Sequence, residues 1–164
     1  MKFTGKVKLN VKGIKNLKTE LALVQKSEVR VGVFAEKANR DDDSELNNAE
    51  IGAVHELGSK KKNIPIRSFL RVPCFEDLPK ALKAKGQKQL VSVIIKTGTK
   101  DALENLGVMA EQVVDEAFET RGKGRWAPLK AETIRRKGSD VPLFDSGKLS
   151  AAVSSKVMMG GKDK

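Results

Sequence analysis

The chain is poor in the residues that carry most enzyme and metal chemistry. Its 164 residues include one cysteine, one histidine, one tryptophan and no tyrosine, and aromatics make up 4%. A lone Cys74 excludes an intrachain disulfide and suits a reducing compartment; it reads as a small buried hydrophobe beside Phe75. With His55 the sole imidazole, a zinc site has too few donors. A serine or cysteine triad has only one candidate base, and nothing else supports the pairing. Scarce aromatics mean a core built from Val, Leu, Ile and Ala, and few of the stacking platforms that single-strand nucleic-acid binders use. No segment approaches the ~20 apolar residues of a membrane span; the longest apolar run, Leu90 to Ile95, is broken by Ser92. The opening MKFTGKVKLN has no apolar stretch of signal-peptide length, so synthesis in a cytoplasm is expected.

Charge is what the chain has in excess. Lys and Arg number 32 against 21 Asp and Glu, a net charge of +11 and a pI near 9.8. Charged residues make up 32%, above the usual share of about 25%. Such a balance suits phosphates or an acidic protein partner. The excess is mostly lysine spread along the chain, without interleaved aromatics, so a solvated or partner-facing surface is the plainer reading. Two stretches concentrate it on glycine- and proline-shaped loops: Lys60, Lys61 and Lys62 with Arg67 and Arg71, then Arg121, Lys123 and Arg125 with Arg135, Arg136 and Lys137. These clusters are candidate contact surfaces for a partner or DNA. Phe69 and Trp126 are most simply core residues, yet each sits beside arginines and is also a candidate interface anchor.

At this length one domain is expected. Residues 3–11 alternate apolar and polar, which predicts a strand. Ile14, Leu17, Leu21 and Val24 recur at helical spacing over 14–26, and Val29, Val31 and Val33 alternate over 28–35. Strand, helix, strand with short links predicts that the helix lies on a sheet. Residues 36–48 are polar and aperiodic, a mobile loop; its Asp41, Asp42, Asp43 and Glu45 lack the glycine and distal glutamate of a calcium loop. The stretch 49–75 is central. A short amphipathic helix ends at Gly58, a fitting helix cap. A rigid basic turn follows, then the anchor Arg67 to Pro73, with Ile64 and Val72 pushed toward extended geometry by the prolines after them. A helical region spans 76–96, weakened at Gly86. Thr97 or Thr99 caps the next helix, 100–121, whose three-four spacing is the clearest in the chain. Residues 121–125 read as a flexible basic linker, 130–137 as a short helix, 141–144 as extended, 151–159 as a last strand, and 160–164 as a frayed tail. The fold class expected is α+β: a small, mainly antiparallel sheet packed by several helices, with long loops making contacts between subunits.

Motifs for chemistry fail on spacing. His55-Glu56 begins like the zinc-protease pattern, but the second histidine position is Ser59. Ser146-Gly147-Lys148 is no P-loop, since Pro142 stands where the first glycine belongs and Leu149 replaces the hydroxyl residue. Asp115 and Glu116 are adjacent on a helix and point to different faces. No catalysis, no cofactor and no metal is expected, and His55 reads as a half-buried polar group satisfied by a neighbour.

Two passages nevertheless form a pattern. Residues 49–75 carry AxIxxxHExG followed by IPxRxFLRxP, and residues 124–149 carry Trp-x-Pro-Leu, Thr-Ile-x-x-Lys and Pro-Leu-x-x-Ser-Gly-x-Leu. In this order they resemble the signature of the phage virion-morphogenesis proteins, also called tail-completion or neck proteins. The passages cover about a third of the chain; the 36–48 loop and the Lys60–Lys62 run match nothing in the family pattern. The resemblance implies a structural protein of tailed bacteriophages, made in the host bacterial cytoplasm and located in the virion. It would complete the tail, or join tail to DNA-filled head, as a homo-oligomeric ring, with a hexamer favoured. The partners implied are other neck, connector and tail proteins, and non-specific contact with genomic DNA in the channel; no membrane is involved. The alternative is a basic nucleic-acid-binding protein. A nuclease using the acidic loop is a third, weaker reading.

Overall fold

A computed structural model describes residues 11–40 and 45–160. Its helices are α1 (Val11–Lys26), the single turn α2 (Ala35–Ala38), α3 (Asn48–Leu57), α4 (Leu78–Ala81), α5 (Gln87–Lys96), α6 (Thr99–Glu119), α7 (Ala131–Lys137) and α8 (Lys148–Ala152). Strands β1 (Glu28–Val33) and β2 (Val153–Met158) form an antiparallel pair, with Glu28 opposite Met158 and Val33 opposite Val153. The fold is α+β, as expected, with a two-stranded sheet among the described residues. Apart from Val11, which opens α1, the strand expected over 3–11 lies outside those residues, as do Asp41, Asp42, Asp43 and the tail beyond Gly160.

Helix α6 is the spine. Its regular apolar spacing buries Ala102, Ala110, Val113, Val114, Ala117 and Phe118 on one face, and that face covers both strands. Gly107 lies where Ser155 of β2 crosses the helix, leaving no room for a side chain. Glu111 accepts the backbone N–H of Ser155 at 2.5 Å, tying helix to strand. The core gathers at the C-terminal half of α6: Phe69, Val114, Ala117, Phe118, Trp126, Leu149 and Val153. The Phe69 and Phe118 ring centroids are 5.2 Å apart, and Trp126 meets Phe118 edge-on at 5.8 Å. Each such side chain contributes roughly 1.5–3 kcal/mol by leaving water.

Several local expectations are corrected. Helix α1 does not lie on the sheet; it docks at the start of α6, leaving Ile14, Leu17 and Leu21 exposed. Neither Thr97 nor Thr99 caps α6. Gly98 occupies that place, and Glu20 of α1 supplies the missing acceptor: its carboxylate takes the Thr99 N–H at 2.7 Å, while the Thr99 hydroxyl donates to the Glu20 carbonyl. These bonds hold the Glu20 carboxyl below its ordinary pKa. The 36–48 loop contains α2 and the N-cap of α3, where Asn47 and Glu50 exchange reciprocal bonds. The helical region begins earlier than expected and alternates α-turns with wider turns at Pro73–Asp77 and Leu82–Gly86. Pro79 has no N–H for a normal helical bond, and the wide turn just before it shifts the bonding: the Leu78 N–H reaches back to the Pro73 carbonyl. The stretch 141–144 is a turn rather than an extended segment, with Leu143 at φ 60°.

Candidate functional site

The two passages singled out in the sequence meet in space. Glu56, on the last turn of α3, turns its carboxylate to the N-terminal end of the helical segment that follows Phe69. One oxygen accepts from the Ser68 hydroxyl (2.5 Å) and the Arg71 N–H (3.1 Å); the other accepts from Phe69 (2.9 Å) and Leu70 (3.0 Å). Ser68 in turn accepts the Val72 N–H at 2.9 Å. The first N–H groups of a helix lack internal partners, and here a half-buried carboxylate satisfies them. This grip also explains Val72, which is helical (φ −63°, ψ −48°) and not extended as the following proline suggested.

The second passage locks onto the first. Arg67 is 5% exposed and donates to the carbonyls of Ala127 (2.9 Å) and Pro128 (3.1 Å). The Trp126 indole donates to the Ser68 carbonyl at 3.1 Å. Between the passages, residues 121–125 are a braced turn and not a flexible linker. Arg125 bonds Glu76 and Asp77, each at 2.9 Å, and the Gly122 carbonyl at 2.7 Å. Lys123 lies 3.2 Å from Glu116 and 3.7 Å from Asp77, and Arg121 forks onto Asp140. Burial alone would raise the Asp77 carboxyl, but the bond and charge of Arg125, with Lys123 and Lys80, hold it below its ordinary value. Gly122 sits under the Trp126 indole at φ 65°, so both the backbone and the space demand glycine.

Seven of the ten sequence-predicted contact residues therefore have partners or burial inside this subunit. Phe69 (2% exposed) and Trp126 (8%) are buried in the core, and Arg67 is held by backbone carbonyls with only an edge reaching the groove where the passages join. Arg121, Lys123 and Arg125 are ion-paired. Arg71 is exposed, 3.8 Å from Glu56, beside a pocket of about 350 Å³ lined by Val29, Val31, Cys74 and the exposed Phe75. Burial, then the nearby Glu56 charge, raises the Cys74 thiol pKa, which keeps it unreactive. Lys60, Lys61 and Lys62 stand exposed on the basic turn. That turn is closed by a backbone bridge in which Ser59 and Ile64 exchange bonds at 2.9 and 2.8 Å. Gly58 has the positive φ (72°) expected of it, but its ψ of 174° is extended, and a Cβ there would press on Ile66.

Where the passages join, a groove of about 790 Å³ opens between α3, the basic turn, α7 and the start of α8. Arg40, Lys62, Arg67, Lys130, Arg136, Lys137 and Lys148 line it, with Asp145 the one acid among the described residues that do so. Half-buried Ile51, Ile64, Leu129 and Leu143, with buried Leu149, supply its apolar lining. His55 lies there too, and its buried Nδ1 has no hydrogen-bond partner, contrary to the expectation of a satisfied histidine. Burial first, then the charges of Arg67 and Lys137, lower its pKa from 6.5 to about 4. Lys137, pulled down mainly by burial, donates to the Val141 carbonyl at 2.6 Å. The arrangement is one for holding an anion. Among the described residues no group of three His, Cys, Asp or Glu side chains is placed to bind a metal, and no helix is long and apolar enough to cross a membrane.

Sequence reasoning flagged Lys62, Arg67, Arg136 and Lys137 through their basic runs. It missed Arg40, Lys130 and Lys148, isolated cations that only the fold brings together. Comparison with family models, with curated proteins and with solved structures gives no match.

Proposed function

We propose that the chain is a structural subunit of a tailed-bacteriophage virion that completes the tail or the head–tail junction by assembling as a homo-oligomeric ring, with six copies favoured. The observation that carries this reading is that the two passages resembling the virion-morphogenesis signature interlock. Arg67 and Trp126 join them through hydrogen bonds, so the resemblance falls on one structural unit and not on two unrelated stretches. A second observation supports assembly. Ile14, Leu17 and Leu21 of α1 are 39–50% exposed, and Val91 and Ile95 of α5 are 55% and 66% exposed. Apolar helix faces left in water are surfaces suited to a partner. A head-to-tail contact between identical copies closes into a ring when its rotation permits.

Native mass spectrometry and negative-stain microscopy of the purified protein, alone and mixed with tails lacking their end protein, test the reading. A closed ring of one size, free or on the tail tip, is expected. A monomer that never joins tails or connectors refutes it. The alternative, a basic nucleic-acid binder, requires affinity for duplex DNA with a log–log salt slope near −0.9 per phosphate neutralised.

A further inference from the structure

Folding gathers cations from separate segments into the groove, and among the described residues one acid, Asp145, lines it with them. Arg67, its most buried cation, spends its hydrogen bonds on two uncharged carbonyls, and among the described residues it meets no carboxylate. Lys137 likewise donates to a carbonyl, with Asp145 as the nearby acid. His55 beside them keeps a buried, unpartnered ring nitrogen. Exposed Lys62, Lys130 and Arg136 line the same groove.

The lining also selects among anions. Ile51, Ile64 and Leu143 provide aliphatic contact beside the cations, and apart from His55 no aromatic ring among the described residues lines the groove. A nucleic-acid strand wants stacking platforms with its phosphate contacts. A peptide that alternates carboxylates with aliphatic side chains satisfies both kinds of lining at once, in the manner of acidic-motif recognition by basic clusters.

We propose that this groove is a docking site for an acidic, aliphatic-rich segment of a partner protein, with one carboxylate seated at the Arg67–Lys137–His55 end. Binding brings a negative charge to Arg67, which meets no carboxylate among the described residues, and a partner to the His55 Nδ1. The proposal goes beyond the virion reading, because it names the chemistry of the partner segment and stands on the groove alone. Ring formation and peptide docking are read by separate measurements, so either can fail without the other.

His55 is the only histidine, so its imidazole NMR signals report the groove without assignment. The full chain is titrated at low salt with a short capped peptide alternating Glu and Leu. The same peptide with Gln for Glu, single-stranded oligothymidylate and inorganic phosphate serve as comparisons. A saturable His55 shift with the Glu peptide is expected, with the Gln peptide and the oligonucleotide at least about tenfold weaker. Charge reversal by Lys62→Glu, Lys130→Glu and Arg136→Glu together weakens the peptide by about tenfold or more. These side chains are exposed, so the urea midpoint holds and loss of binding is not loss of fold. The absence of a saturable shift, equal binding of the Gln peptide, tighter binding of oligonucleotide or phosphate, or undiminished binding by the folded triple variant would overturn the proposal.

Discussion

Replacing Glu56 with glutamine tests whether a single carboxylate holds the central turn. The side chain is 13% exposed, and its two oxygens accept four bonds from Ser68, Phe69, Leu70 and Arg71. Glutamine offers one oxygen and turns an NH2 toward the other pair of donors. Two donors then lose their acceptor, at about 1–3 kcal/mol each. The remaining pair exchange a charged acceptor for a neutral one, which is roughly half as strong. Together this amounts to about 3–5 kcal/mol. The Arg71 side chain adds little, being exposed and 3.8 Å away. A domain with about 5–15 kcal/mol of stability survives the change, but marginally. Urea unfolding of Glu56→Gln is expected to shift its midpoint down by roughly 2 M, taking a slope of about 2 kcal/mol per M. Amide exchange of Phe69, Leu70 and Arg71 accelerates more than that of Val113 or Val114 in α6. A loss under about 1 kcal/mol, or unchanged exchange at those three amides, would refute the idea that this carboxylate organises the turn.

The remaining predictions concern packing and protonation. Gly122→Ala forces a side chain into a positive-φ site and against the indole, costing about 2–4 kcal/mol; Trp126 is the only tryptophan, so its fluorescence should shift red, and an unchanged spectrum and melting point would contradict the contact. Gly107→Ala ordinarily gains about 1 kcal/mol in a helix, but here the new Cβ collides with Ser155, so the melting temperature falls, and a rise would show that α6 does not press on β2. His55 has a folded-state pKa of about 4 against 6.5, so the unfolded state takes up its proton first as pH drops. Stability from this group is therefore complete above pH about 6.5 and declines toward pH about 4, by roughly 2 kcal/mol once screening of its exposed part is allowed for. Urea midpoints of His55→Gln should be flatter than the parent across that window, and parallel curves would remove the effect.

Helix α6 and both strands were legible because each carries a period that only one backbone geometry serves. Which strand pairs with which was not. Val33 and Val153 are brought opposite each other by α6 packing on both strands, and nothing local to either encodes that. The cap of α6 was misassigned for the same reason: Thr99 looks sufficient locally, but the acceptor is Glu20, from a helix far back in the chain. At Val72 a sound local rule lost to a stronger distant one, because the Glu56 carboxylate gains more by gathering three backbone N–H groups than the pre-proline residue loses in αR. Glycines at 122 and 124 suggested looseness; Gly122 instead marks close approach to Trp126, while Lys123 and Arg125 are held by acids from two other elements. The groove was half-visible in its basic runs. Its isolated cations and the unpartnered nitrogen of His55 belong to no motif, since they arise from the meeting of four separate segments.

The bare apolar stripe of α1 sets two forces against each other. Exposed Ile14, Leu17 and Leu21 reward any contact that covers them, while a net charge of +11 repels a second copy. Only the second force fades with salt: its reach shrinks from about 30 Å at 0.01 M to about 10 Å at 0.1 M. Ionic strength thus sets how far the charge opposes any contact between copies. If copies meet through this stripe, raising the salt strengthens the meeting, and dilute protein in weak buffer keeps them apart.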